Sequence, residues 1–82
     1  MSSFIALYIG KDEHCGCRVE ELLINGVDLH VHYEDGSAEA YLDWGDECEP
    51  MEAGFPAPTI FAGRAAVLGW ANAVTSRQVP AP

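Results

Sequence analysis

The chain has 82 residues, enough for one domain with little surplus, and a domain of that size buries only roughly 60% of the surface its unfolded chain exposes. Hydrophobic residues make up 49% of it, which is too many for a disordered chain, yet no stretch approaches the ~20 apolar residues of a membrane helix. A formal charge of −9 argues against nucleic acid as a direct ligand, because binding it needs cations that displace counterions.

Ser2–Ile9 reads as the first strand. The apolar run Phe4–Ile9 lacks the basic flank and the cleavage-like ending of a secretion signal, so cytoplasmic residence is the expectation. Gly10 and the polar stretch Lys11–Cys17 end the strand in a loop. Arg18–Ile24 has two readings. Asn25-Gly26 is a strong hairpin turn, which makes 18–24 a strand pairing Ile24 with Val27 and Leu22 with Leu29. Alternatively Val19, Leu22 and Leu23 form a helical stripe capped by Gly26. The hairpin is favoured, since so short a helix is marginal on its own.

The clearest signal follows. Val27, Leu29, Val31 and Tyr33 alternate with Asp28, His30, His32 and Glu34, the period of a strand with one buried face. Asp35-Gly36 then supplies the pair that a type I′ turn wants. A two-residue turn sets Tyr33 against Ala38, Val31 against Ala40, Leu29 against Leu42 and Val27 against Trp44, all apolar. A three-residue loop would oppose Tyr33 to Glu39 and Leu29 to Asp43, so the two-residue register is expected.

Residues 45–58 contain Gly, Pro and acids and read as a long acidic loop, a candidate functional segment. Thr59 is a candidate cap for a C-terminal helix over about 60–77, with Ile60, Arg64, Val67, Ala71 and Val74 in one stripe and Leu68 and Trp70 broadening it. Gly63 and Gly69 each weaken such a helix by roughly 1 kcal/mol relative to Ala, so it must rely on packing. Residues 78–82 are expected to be a frayed tail. The fold class expected is α+β: one domain over 1–82, a small antiparallel meander of about four strands, covered on one face by the C-terminal helix.

Three cysteines are an odd number, which argues against a disulfide framework and for reduced thiols. With His14, the residues Cys15, Cys17 and Cys48 have the ligand types of a tetrahedral zinc site, although Cys-x-Cys is tighter than the usual spacing. The bland alternative is a loop of small residues with idle thiols. His30 and His32 project to the outward face, with His32 opposite Glu39 and His30 opposite Tyr41; a His-x-His pair beside a carboxylate suits metal ligation or acid–base work, and equally an ordinary surface ladder. No phosphate-binding glycine loop, Gly-x-Ser-x-Gly elbow or His-Glu-x-x-His occurs, so no enzymatic role is expected, and no cofactor beyond that candidate zinc.

The acids are unevenly spread. The eleven from Glu20 to Glu52 lie in a stretch without Lys or Arg. On the outward face of the second hairpin stand Asp28, Glu34, Glu39 and Asp43 beside Tyr41, and the loop adds Asp46, Glu47, Glu49 and Glu52. Asp28 opposite Asp43 breaks the rule against like charges across a ladder, as functional surfaces often do, whereas solubility alone would explain a generally acidic surface. The partner expected is a basic, nucleic-acid-binding protein surface, and neither nucleic acid itself nor a membrane. In size and charge the chain is similar to phage-encoded anti-defence inhibitors, the anti-CRISPR and anti-restriction nucleic-acid mimics, and that similarity implies steric and electrostatic blocking of a partner. The alternatives are a small metal-binding domain and an accessory or self-assembling subunit, a homo-oligomer among them.

Overall fold

The computed structural model describes residues 4–45, 48–52, 55–56 and 59–77. Four long strands follow one another: β1 (Phe4–Lys11), β2 (Arg18–Ile24), β3 (Val27–Glu34) and β4 (Ser37–Asp43). Each pairs antiparallel with the next, giving the expected meander, and the C-terminal helix α1 (Arg64–Arg77) packs on one side of it. Among the described residues the fold is therefore a small α+β one, a main antiparallel sheet with a C-terminal helix on it.

Both hairpins hold the registers that their alternation demands. Leu22 pairs with Leu29 and Ile24 with Val27 across the first. Tyr33 pairs with Ala38, Val31 with Ala40 and Leu29 with Leu42 across the second. Residues 18–24 form a strand and not a helix, because Asn25 and Gly26 both take positive φ, 52° and 82°, and close a two-residue turn. The second turn differs from the type I′ expectation. Only Gly36 takes positive φ, at 70°, and Asp35 stays at negative φ, so the glycine alone carries the left-handed position.

Paired residues share a face, and the inward face is the core. Leu22, Ile24, Leu29, Val31, Ala38, Ala40 and Leu42 from the sheet are buried against Val67, Ala71 and Val74 from α1. Val27, Tyr33, Trp44, Phe61, Leu68 and Trp70 close its margins. The small Ala38 and Ala40 let the helix approach β4 closely. The first turn is also tied to the helix: Asn25 Nδ2 donates to Thr75 Oγ1 at 2.8 Å and to Asn72 Oδ1 at 3.1 Å. Asn25→Ala removes both bonds and a residue type that tolerates positive φ. It is expected to lower the unfolding free energy by about 1–2 kcal/mol, measured by urea titration.

Two expectations about the second half are corrected. Thr59 does not cap a helix; Thr59–Phe61 is a strand, β8, pairing with Ala38–Ala40 of β4. The helix begins at Arg64, with the Gly63 carbonyl accepting the first helical hydrogen bond from Val67 N at 3.2 Å. Residues 45–58 are also not simply a loop. Cys48–Glu49 (β5) pairs with Leu42 and Asp43, while Met51–Glu52 (β6) pairs with Phe55–Pro56 (β7) in a separate ribbon. The reason is shared: the outer edge of β4 would otherwise leave a row of backbone donors and acceptors unpaired, and β5 and β8 fill it. Residues 46–47 and 78–82 lie outside the described ones.

The other edge of the sheet is different in kind. In β1 the register slips between Ala6 and Tyr8, so Leu7 is an extra residue and the alternation changes phase there. Phe4, Ile5, Leu7, Tyr8 and Ile9 are each about half exposed, at 52%, 55%, 47%, 53% and 56%. Apolar side chains thus stand on both faces of an edge that no other described strand pairs with.

Candidate functional site

The face of the sheet opposite α1 has no helix on it among the described residues. Registers place Glu21 on β2, Asp28, His30, His32 and Glu34 on β3, and Glu39, Tyr41 and Asp43 on β4 together on that open face. Same-face neighbours repeat every ~6.7 Å along a strand and ~4.8 Å between strands, so these carboxylates form a lattice on one surface. Asp28 stands directly opposite Asp43, as the sequence reading has it.

The middle of the face is concave. A cavity of about 330 Å³ is lined by Tyr8, Glu21, His30, His32, Glu39 and Tyr41, among others. His30 and Tyr41 stack with ring centroids 4.8 Å apart and planes within 12°. His30 Nε2 lies 3.9 Å from Glu21 Oε2. On the far wall the Tyr8 side chain lies over Gly10, so close that a Cβ at residue 10 would collide with the Tyr8 ring. Gly10→Ala is therefore expected to push the Tyr8 ring off its seat and widen the cavity without unfolding the sheet, visible as shifted Tyr8 and Tyr41 ring resonances.

The cations stand elsewhere. Arg18 shares the inward parity of Leu22 and Ile24, and its guanidinium sits 5.5 Å from the centre of the Tyr33 ring. Lys11 pairs with Arg18 and has the same parity. Arg64 is taken by Glu20, with Nε to Oε1 and Nη2 to Oε2 both at 3.0 Å, and Tyr33 Oη donates to the same Oε1 at 2.7 Å. Glu20 is only 3% exposed, and this three-bonded carboxylate lies on the core side of the sheet. The Arg64 hydrogen bonds, ahead of the one from Tyr33, hold its carboxyl below the usual glutamate range, against the opposing effect of burial. Among the described residues, then, the open face carries acids and two histidines and no Lys or Arg.

Of the acids expected on the patch, Asp28, Glu34, Glu39 and Asp43 are on this face. Glu49 pairs with Leu42, not with an outward position, and Glu52 belongs to the separate β6–β7 ribbon. Asp46 and Glu47 lie outside the described residues.

The metal quartet divides. Cys15 and Cys17 are together in the Asp12–Cys17 loop, and their partner is His32, with Cys15 Sγ 3.2 Å from His32 Nε2. His14 is exposed and its backbone N–H donates to Asp12 Oδ1 at 2.7 Å. Cys48 pairs with Asp43, at the end of the sheet remote from His32 and Glu39. Four residues of strand separate those levels, about 13 Å. The quartet His14, Cys15, Cys17 and Cys48 is therefore not one cluster. The Cys15 thiol is held below its ordinary value, first by its hydrogen bonding with Cys17, and the Cys17 thiol is pushed up to about 11, first by its hydrogen bond to Cys15 and then by burial. His32 is raised, chiefly by its hydrogen bond with Cys15.

His32 as a neighbour of the cysteine loop escaped the sequence reading, which set it against Glu39 alone. The signal was present in the first hairpin register: Val19 opposite His32 brings Cys17, two residues before Val19, to the end of β3. No helix among the described residues is long and apolar enough to cross a membrane. The chain matches no protein-family model, no curated protein and no solved structure.

Proposed function

We propose that the chain is a small binding protein that docks its open, acidic sheet face on a basic protein surface, of the kind that binds nucleic acid, and blocks it. One observation carries this reading: Glu21, Asp28, Glu34, Glu39 and Asp43 share the uncovered face while Lys11, Arg18 and Arg64 lie on the helix side. Charge so sorted is costly for folding, since Asp28 and Asp43 repel across the ladder, and an external cation would offset that cost. The central cavity adds shape. Tyr8, His30 and Tyr41 offer ring surfaces, and Glu21 and Glu39 offer acceptors, the set that receives an Arg or Lys side chain from a partner. The role is occlusion and not catalysis, and it requires no cofactor. The site of action is the cytoplasm.

The test is capture of partners from lysate at low and at high salt, with the wild type beside a variant carrying Asp28→Asn, Glu34→Gln, Glu39→Gln and Asp43→Asn. Capture is expected to fall with salt and to be lost in the neutral variant. Partners retained equally by both proteins at both salt levels would remove the basis for the reading.

A second reading has its own observation, the apolar free edge of β1. Five half-exposed side chains of this size offer about 500 Å² per copy, so two edges paired about a two-fold axis have at most about 1,000 Å² to bury, the lower bound of a specific interface. Self-association of this kind works against the repulsion of two chains at −9 each, so it strengthens as salt rises, opposite to docking on a basic partner. Sizing chromatography over a concentration series at two salt levels separates the two. Ile9→Lys is expected to hold the chain monomeric throughout.

A further inference from the structure

We infer that Cys15, Cys17 and His32, completed by Asp12, form a zinc site. One donor atom from each of Cys15, Cys17 and His32 lies within 4.8 Å of the others. A tetrahedral zinc with thiolate and imidazole ligands needs donor atoms about 3.6 Å apart for S and N, and about 3.8 Å for two S, from its usual bond lengths. The Cys15 Sγ to His32 Nε2 separation is 3.2 Å, and Asp12 Oδ2 stands 3.8 Å from the same His32 nitrogen. The cysteine and histidine donors are thus already grouped for a single ion, and Asp12, which neighbours His32 but stands outside that close group, joins it by turning its side chain.

The loop is built to hold that arrangement. Asp12 N donates to the Cys17 carbonyl and Gly16 N donates to the Asp12 carbonyl, both at 2.8 Å, which closes the segment on itself. Gly16 between the cysteines takes φ of 72°, a conformation that reverses the chain and keeps both thiols near one point despite the tight Cys-x-Cys spacing. The fourth ligand comes from the residue that closes the loop, and the histidine from the neighbouring strand, so the ion would pin the loop to the sheet.

The second nitrogen of His32 supports the same conclusion. Its Nδ1 is buried with no hydrogen-bond partner, and Glu34 Oε1 lies 3.9 Å away. In zinc sites the ligating histidine commonly donates its other N–H to a carboxylate, which fixes the tautomer and raises the ligand's basicity. Glu34 is placed for that part. Two thiols and an imidazole select zinc over magnesium or calcium, which take oxygen ligands. The inference does not rest on the docking proposal, since its readout is metal binding by the chain alone, although Glu34 belongs to both sites.

Cobalt(II) is the probe, added to the reduced, refolding-competent chain in a buffer free of thiols. One equivalent per chain is expected to give the visible ligand-field bands of a tetrahedral ion and a near-ultraviolet thiolate charge-transfer band, both removed by one equivalent of zinc. Cys15→Ser, Cys17→Ser and His32→Asn are each expected to abolish these bands with the far-ultraviolet dichroism unchanged, and Asp12→Asn to weaken binding. Glu34→Gln is expected to reduce affinity about tenfold, at the low end for an outer-shell partner. His14→Ala and Cys48→Ser are expected to bind as the wild type does. Absence of a one-to-one tetrahedral spectrum in the wild type would overturn the assignment, as would its survival in the His32→Asn chain or its loss in Cys48→Ser.

Discussion

Arg64→Ala is expected to destabilise the fold by about 2–3 kcal/mol, a large share of what a domain this small possesses. The guanidinium supplies two of the three hydrogen bonds received by Glu20, which is 3% exposed with Arg64 in place. Breaking a fully buried pair from one side costs about 3–5 kcal/mol; the lower figure applies because the Arg64 side chain is 50% exposed and screened by solvent. Removing both partners is a different experiment. Glu20→Leu with Arg64→Leu leaves only the Tyr33 hydroxyl without its acceptor, so the double variant is expected to be more stable than Arg64→Ala alone. Urea denaturation of the four corners of that cycle measures the coupling.

The same pair sets an acid limit. The Glu20 carboxyl titrates below its ordinary value in the folded chain, so the unfolded state takes up its proton first as pH falls. The stabilisation is complete above the unfolded value of about 4.3 and disappears as pH drops through the folded one. Wild-type stability is therefore expected to rise with pH through that window, and the slope to flatten in Arg64→Ala. Tyr33, pushed up to about 12 by burial and by Glu20, stays protonated as the donor throughout this range.

Tyr41→Ala is expected to weaken the complex proposed above by about 2 kcal/mol or more, roughly thirtyfold, while leaving the fold intact. The ring forms the centre of the open face, stacked on His30 at 4.8 Å and bordering the cavity between Glu21 and Glu39. Central aromatic anchors act after contact, so the loss should reside in the dissociation rate. The neutral Asp28/Glu34/Glu39/Asp43 variant should behave in the opposite way, with slower association and a shallower salt dependence. Binding kinetics at two ionic strengths distinguish these effects. A Tyr41→Ala chain whose dissociation is unaltered would show that the contact surface lies elsewhere.

The parts of the fold that were legible in the sequence are those governed by period two. Within β3 and again within β4 every second residue is apolar, so only one register buries them all, and Asp35-Gly36 fixed where the chain turns even though Asp35 keeps negative φ. The helix start was misread because Thr59, Ile60 and Phe61 satisfy either period; the open edge of β4, invisible in a local window, decides for strand. The Glu20–Arg64 pair was hidden by a separation of 44 residues, yet each is a charge placed on an otherwise apolar stripe, and two such misfits in facing elements imply one another. The open acidic face was legible through the hairpin register. The cysteine–histidine cluster was legible only at one remove, because the loop does not adjoin β3 in the chain and the first hairpin's register has to be followed to bring them together.

Among the described residues of the four long strands, five acids stand on one side of the thin sheet and Lys11 and Arg18 on the other, which contributes an electric dipole along the sheet normal in addition to the net charge. Near a positively charged body such a dipole experiences a torque, and rotation toward the aligned pose is complete before the surfaces meet. Much of the usual delay in association is the search for a productive orientation. A molecule that arrives already turned, with its cationic side averted, shortens that search without adding a single contact.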